Sequence, residues 1–189
     1  MEQNKEYIRL AADLQSDSIV DGPGLRTVIW TQGCAHHCKG CQNEQTWDFN
    51  GGGLVPIKMV LDAIDELEEQ TGITFSGGDP MYQPYACNEI AKYCKNKGYD
   101  IWTYTGFTFE ELLKMAKKEP IYLEFLKNTD ILIDGKFILK ERDLSLLFRG
   151  SRNQRLIKVA ESLEKGEVVL LDEYEYNEEK AFEREPMYV

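Results

Sequence analysis

Short apolar segments that alternate with helical patterns constrain the fold of this chain more than any other feature. The segments are apolar or β-branched and end at glycines or polar residues, which is typical of strands. They are Thr27–Gln32, Ile73–Ser76, Asp100–Tyr104, Asp130–Asp134, Leu156–Val159 and Val168–Leu171. Helical periodicity covers residues 56–70, 84–97 and 108–127, the last broken before Pro120. This alternation predicts an α/β fold with parallel strands.

Length and charge limit the possible partners. A chain of 189 residues, 42% of them hydrophobic, is expected to form one domain over residues 1–189. Its net charge of −11 disfavours a nucleic-acid partner. No apolar run is long enough for a bilayer and no signal peptide is visible, so we expect a cytoplasmic protein with no membrane partner. From about residue 172 the chain has seven acidic and two basic residues, which predicts a solvated acidic tail.

The segment TQGCAHHCKGCQNEQTWDF covers residues 31–49. Three of the five cysteines and both histidines fall in eight consecutive residues of it, 34–41. Cys34, Cys38 and Cys41 have the spacing C-x3-C-x2-C. An odd number of cysteines in a reducing compartment argues against a disulfide framework. The loop therefore indicates metal or redox chemistry.

Two kinds of metal centre compete for this loop. Structural zinc takes four ligands, usually as two spaced pairs, and the sequence has no second C-x2-C. His36 or His37 would have to complete a zinc site, although each lies between two cysteines. Three thiolates suit a four-iron, four-sulfur cluster and leave one iron open for chemistry. The spacing favours the cluster, with zinc as the alternative.

Glycine motifs follow the predicted strands. The first strand runs into Gly33 and the cysteine loop, and the next three end in SGGDP, TYTGF and DGKF. Each motif alone is also ordinary turn sequence. Because ligands bind at the carboxyl ends of parallel strands, four marked ends in succession predict a binding site at this edge of the sheet.

These motifs resemble those of radical S-adenosylmethionine enzymes and, more narrowly, of the activating proteins of anaerobic ribonucleoside-triphosphate reductases. With DGPGLR before the cysteine loop and GSRNQR after it, the resemblance covers residues from about 18 to 160. No cysteine-rich insertion lies between Cys41 and Ser76, which distinguishes the chain from activators of pyruvate formate-lyase. Gly40 departs from the superfamily pattern, in which many members place an aromatic residue against the adenine. The alternatives are a radical enzyme with another glycyl-radical partner or a small-molecule substrate, and a non-catalytic zinc-binding interaction module.

The resemblance implies a parallel (β/α)6-type partial barrel of the radical SAM kind, with a 4Fe–4S cluster on the three cysteines. It implies that a reduced cluster cleaves S-adenosylmethionine to a 5′-deoxyadenosyl radical, which creates a glycyl radical on the large reductase subunit. It also implies a low-potential electron donor such as flavodoxin or ferredoxin. The residues that it implies for cofactor contact are Gly40, Cys41, Gln42, Gly77, Gly78, Asp79, Thr103, Thr105, Asp134, Gly135, Lys136 and Phe137.

The segment RGSRNQR concentrates cations and amides in an otherwise acidic chain. Arginine forks and amides suit the gripping of an extended loop from another protein, and they suit bracing of the site from within equally well. The residues expected to bind the partner are Arg149, Arg152, Asn153, Gln154 and Arg155.

The other notable residues favour structural roles. Cys87 and Cys94 are seven residues apart on a predicted helix, so they share a face and are expected to pack in the core. His36 and His37 are expected to tune or shield the cysteine loop.

Alanine at Cys34, Cys38 or Cys41 is expected to abolish cleavage of S-adenosylmethionine, because each cysteine holds one iron of the cluster. Cys87→Ala and Cys94→Ala are the controls and should leave cleavage intact. The measurements are iron and sulfide content and 5′-deoxyadenosine formation after anaerobic reconstitution. Full cleavage by a Cys38→Ala protein would contradict the assignment.

Overall fold

A computed structural model describes residues 6–174, and its framework is one eight-stranded sheet. The strands are β1 (Tyr7–Leu10), β2 (Gln15–Ser18), β3 (Arg26–Thr31), β4 (Gly53–Pro56), β5 (Gly72–Gly77), β6 (Asp100–Tyr104), β7 (Ile131–Asp134) and β8 (Arg155–Lys158). The helices are α1 (Ile57–Asp65), α2 (Pro84–Asn96), α3 (Phe109–Ala116), α4 (Ile121–Lys127) and α5 (Val159–Lys165). The strand order is β4-β1-β3-β5-β6-β7-β8, with β2 also paired to β3.

Four central strands are parallel, as the sequence predicts. β3 pairs with β5, β5 with β6, and β6 with β7, all in parallel register. The fold is therefore mixed α/β with a parallel centre.

The expectation of six parallel strands is wrong in this structure. β8 pairs antiparallel with β7, because residues 135–154 connect them without a crossover helix. The predicted strand Val168–Leu171 contributes only an isolated bridge between Leu170 and Ile157. The sequence also gave no indication of β1, β2 and β4, which extend the sheet antiparallel on the β3 side.

The helices follow local signals in the sequence. Thr108 and Glu111 form a reciprocal capping box that starts α3, and α4 begins after Pro120, which confirms the predicted break. α1 ends at Asp65, five residues before the predicted end. None of the helices in the described part of the chain has the length and apolar character needed to cross a membrane. Beyond residue 174, the predicted acidic tail lies outside the described residues.

Side-chain alternation gives the parallel strands two different faces. Ile29, Phe75 and Leu132 belong to the large core that the helices cover. The opposite, inner face carries a second buried cluster that includes Trp102 and Ile133. Side chains of the inner-face parity are therefore the strand residues that can line a cavity on that face.

A buried arginine closes the inner face at the end where the parallel strands begin. Arg26 is fully buried, and its Nη1 lies 3.0 Å from each carboxylate oxygen of Asp100. Its Nε donates to Thr74 Oγ1 at 2.7 Å, and its guanidinium lies over the Trp102 ring at 5.4 Å. Burial lowers the pKa of Arg26, and the charge of Asp100 opposes that shift. The hydrogen bonds and the ion pair with Asp100 therefore compensate the cost of burying the positive charge of Arg26.

Replacing Arg26 by leucine is expected to lower the free energy of unfolding by about 3 kcal/mol, since Asp100 and Thr74 lose their donor. The loss lies at the low end for a broken buried pair because the Asp100 side chain is 42% exposed. Urea denaturation measures it. Lys58→Ala, which breaks an exposed pair with Asp62, should leave the midpoint unchanged. Equal midpoints for the two variants would show that the buried pair contributes nothing.

Candidate active site

The cysteine loop leaves the end of β3 and is closed at its base by hydrogen bonds. The Gly33 N–H donates to Thr46 O at 2.8 Å, and the Cys34 N–H donates to Trp47 O at 3.1 Å. Gly33 has φ +104°, a conformation that side chains disfavour, and a side chain there would meet the Phe49 ring. Both ends of the loop are therefore fixed to the sheet.

Each cysteine faces a different surrounding. Cys34 is buried, whereas Cys38 and Cys41 are partly exposed. Burial raises the pKa of Cys34 to about 11, and an N–H bond from His36 opposes that shift. The Asn43 N–H lies 3.4 Å from Cys41 Sγ. Backbone donors of this kind stabilise sulfur in its metal-bound, anionic form.

Cys38 contacts the segment that follows β7. Burial raises the pKa of its thiol, while an N–H bond from Phe137 and the charge of Lys136 lower it. The loop after the fourth parallel strand thus lies against the cysteine loop.

A buried carboxylate ties the cysteine loop to two strand ends. Asp79 Oδ2 lies 2.8 Å from His36 Nε2 and accepts hydrogen bonds of 2.9 Å from Thr105 Oγ1 and the Gly106 N–H. Its Oδ1 accepts from the Met81 N–H at 2.9 Å. Both oxygens are therefore engaged within the protein, although the resemblance implies cofactor contact for Asp79 and Thr105.

The donor set fits an iron–sulfur cluster better than zinc. Within residues 6–174, no three His, Cys, Asp or Glu side chains converge on the position of one metal ion. Each cysteine of a cubic cluster binds a different iron, so three such sulfurs need not converge. Neither histidine is placed as a fourth zinc ligand, since His36 bonds Asp79 and the His37 ring packs on Trp47 at 4.7 Å.

Gly77 and Gly78 hold the end of β5 against the base of the cysteine loop. The Gly78 N–H donates to Thr31 O at 2.7 Å, and a methyl group on Gly78 would lie 2.5 Å from Gly33 O. Gly77 has φ +97°, and a side chain there would meet Thr31 O at 2.6 Å. Backbone packing therefore requires glycine at both positions, independently of any contact with a bound ligand.

A cavity of about 470 Å³ opens at the carboxyl ends of the parallel strands. Cys41 and Gln42 line one side of it, and Trp30, Ser76 and Tyr104 form its wall. Sequence reasoning missed these last three as site residues. Strand parity could have identified them, because they share the inner face with Trp102, two residues before Tyr104.

Known proteins match this chain over most of its length. A family model described as "4Fe-4S single cluster domain" matches residues 20–157. The anaerobic ribonucleoside-triphosphate reductase-activating protein of Haemophilus influenzae is 36% identical over 147 residues, covering 72% of this chain and 89% of the relative. Those of Enterobacteria phage T4 and Escherichia coli are 38% and 37% identical, covering 72% of this chain and 86% and 90% of theirs. The chain belongs to this family of activating proteins.

A solved structure gives a more distant likeness. QueE from Escherichia coli overlaps at TM-score 0.43 and 15% identity, covering 54% of this chain and 53% of QueE. That overlap is too partial to carry an argument about the family's fold or chemistry.

The remaining residues expected to contact the cofactor are spread over several places. Phe137 lines the cavity with Cys41, while Asp134, Gly135 and Lys136 line a second cavity of about 460 Å³. Gly40 packs near Leu139. The structure does not bring Thr103 to either cavity.

Strand parity explains the places of Thr103 and Asp134. The Thr103 hydroxyl lies 3.1 Å from Thr129 Oγ1 on the helix-covered side of the sheet. Asp134 also faces that side, where it accepts from the Phe109 N–H at the start of α3.

The segment 149–155 is braced largely from within. The Gln154 side chain accepts from the Gly150 N–H and donates to Gly135 O. Arg155 pairs with Asp134 and Glu110, and its hydrogen bond lowers the pKa of Glu110 to about 2. The segment therefore depends on the loop after β7 for its position.

Arg152 and Asn153 differ in their exposure. The Asn153 amide donates to Lys136 O at 2.8 Å. The Arg152 side chain is 68% exposed and pairs with Asp143. Arg152 thus points outward, while Arg149 and Gln154 line the first cavity.

Gly78→Ala is expected to reduce cluster content, because its methyl group would push against Gly33 O and displace the cysteine loop. Gly53→Ala is the matched control, since nothing lies within 4 Å of a methyl group there. Iron and sulfide assays after reconstitution, with melting temperatures, measure the effect. Full cluster content in Gly78→Ala would show that the loop tolerates the displacement.

Proposed function

We propose that this protein activates an anaerobic ribonucleoside-triphosphate reductase by creating a glycyl radical on it. The observation that carries the proposal is the opening of Cys41 into a cavity at the ends of the parallel strands. Curated relatives over most of the chain carry the name of that activity. When bound, the cluster supplies the electron that cleaves S-adenosylmethionine to methionine and a 5′-deoxyadenosyl radical, which takes a hydrogen atom from a glycine α-carbon.

The chain's own residues hold and enclose the reactants. Cys34, Cys38 and Cys41 hold the cluster, and the Asn43 N–H steadies the sulfur nearest the cavity. Gln42 and Ser76 line the same cavity as Cys41, and their polar groups are the ones proposed to contact the amino and carboxylate groups of the cofactor. Trp30 and Tyr104 form an aromatic wall suited to a nucleoside.

We infer that residues 1–189 act as one domain and that the parallel strands form the wall of an open partial barrel, which a loop of another protein would enter. The parallel pairing of β3, β5, β6 and β7 supports this arrangement. We further propose that the protein acts in the cytoplasm and takes its electron from a low-potential carrier such as flavodoxin or ferredoxin.

Anaerobic reconstitution tests the function directly. With S-adenosylmethionine and a chemical reductant, the protein should form methionine and 5′-deoxyadenosine. With the reductase added, electron paramagnetic resonance should show a glycyl radical. A reductase whose radical-forming glycine is replaced by alanine is the control. A radical on a pyruvate formate-lyase but not on the reductase would favour the alternative partner, and a colourless zinc protein would overturn the proposal.

Arg152→Ala is expected to keep the cluster and uncoupled cofactor cleavage but to lower glycyl-radical yield, because we propose that its exposed guanidinium contacts the partner. Lys165→Ala is the matched control, since Lys165 is also exposed and pairs with one carboxylate, Glu161. Spin quantitation on the reductase measures the yield. An unchanged yield for Arg152→Ala would place the docking surface elsewhere.

A further inference from the structure

One corner of the cysteine loop, residues 38–40, lies at the surface. Cys34 is buried, Cys41 lines the first cavity, and Cys38 is partly exposed. Its neighbours Lys39 and Gly40 are exposed. The cysteine loop is therefore accessible to another protein at this corner.

Four cations lie in this corner or in the segment after β7 that contacts it. Lys39 lies between Cys38 and Gly40 in the loop. The other three follow β7, whose loop contacts Cys38, and a methyl group on Gly40 would lie 3.1 Å from Leu139. All four side chains are exposed: Lys39, Lys136, Lys140 and Arg142, here called the basic rim.

The basic rim is largely uncompensated. Within the described residues 6–174, none of its four side chains takes part in an ion pair, whereas Lys58, Lys95 and Lys97 all do. Residues 35–43 contain no acidic residue, and residues 136–143 contain two. Of these two, Asp143 is paired with Arg152. A positive surface is thus concentrated beside the cluster loop of a chain whose net charge is −11.

We infer that the basic rim is the docking surface for an acidic one-electron carrier protein that reduces the cluster. Unpaired cations attract an acidic protein from a distance and orient it, which speeds encounter more than it tightens the complex. The carrier, with a reduced flavin or iron–sulfur centre, loses one electron and the cluster gains it, and no bond forms or breaks in that step. The inference rests on the proposed function and adds the place where the electron enters.

Charge reversal tests the inference. The variant is Lys39→Glu/Lys140→Glu, which leaves Lys136 unchanged. The matched control is Lys117→Glu/Lys118→Glu, two exposed lysines after α3, toward the opposite end of the strands. Stopped-flow absorbance follows cluster reduction by the hydroquinone of an acidic flavodoxin. Photoreduced 5-deazaflavin, a small neutral reductant, reports cofactor cleavage without a docking step.

The rim variant should be reduced by flavodoxin about tenfold more slowly than the control at low salt, and high salt should shrink the difference. Both variants should match the unmodified protein in cluster content and in deazaflavin-driven cleavage. Equal flavodoxin rates in the two variants would overturn the docking surface. If the unmodified protein itself fails to cleave S-adenosylmethionine with deazaflavin, the proposed function fails instead.

Discussion

The hydrogen-bonded carboxylate of Asp79 is the constraint on which the site depends. It joins a histidine of the cysteine loop to the end of β5 and to the turn after β6. Removing such a buried acceptor would leave several donors unsatisfied, each at a cost of about 1–3 kcal/mol. Its bond to His36 fixes the cysteine loop between Cys34 and Cys38, and the His37–Trp47 contact adds a second fixed point.

The sequence predicted features whose signals are local. Cysteine spacing located the cluster loop, glycines marked the four strand ends, and Pro120 marked a helix boundary. Features that depend on distant residues were not predictable. His36 and Asp79 are 43 residues apart, and nothing in either segment indicates that they meet.

Two errors of prediction have a common physical origin. Thr103 was expected at the site because it stands near a strand end, yet its parity turns it toward the helices. β8 was expected to be parallel because strands alternate with helical patterns along the sequence, yet its direction depends on the connection before it. Composition identifies a strand. The face to which each side chain points follows from its position in the strand, and the direction of the strand follows from the connection before it. Applied to β6, the same parity argument assigns Tyr104 to the cavity.

Arg26 and Asp100 close the inner face at the end where the parallel strands begin. The guanidinium is held there by Asp100, Thr74 and the Trp102 ring, so a ligand on the inner face does not pass through that end. In an activating protein with this end closed, the cofactor and its products would therefore exchange at the carboxyl ends of the strands, beside the cysteine loop.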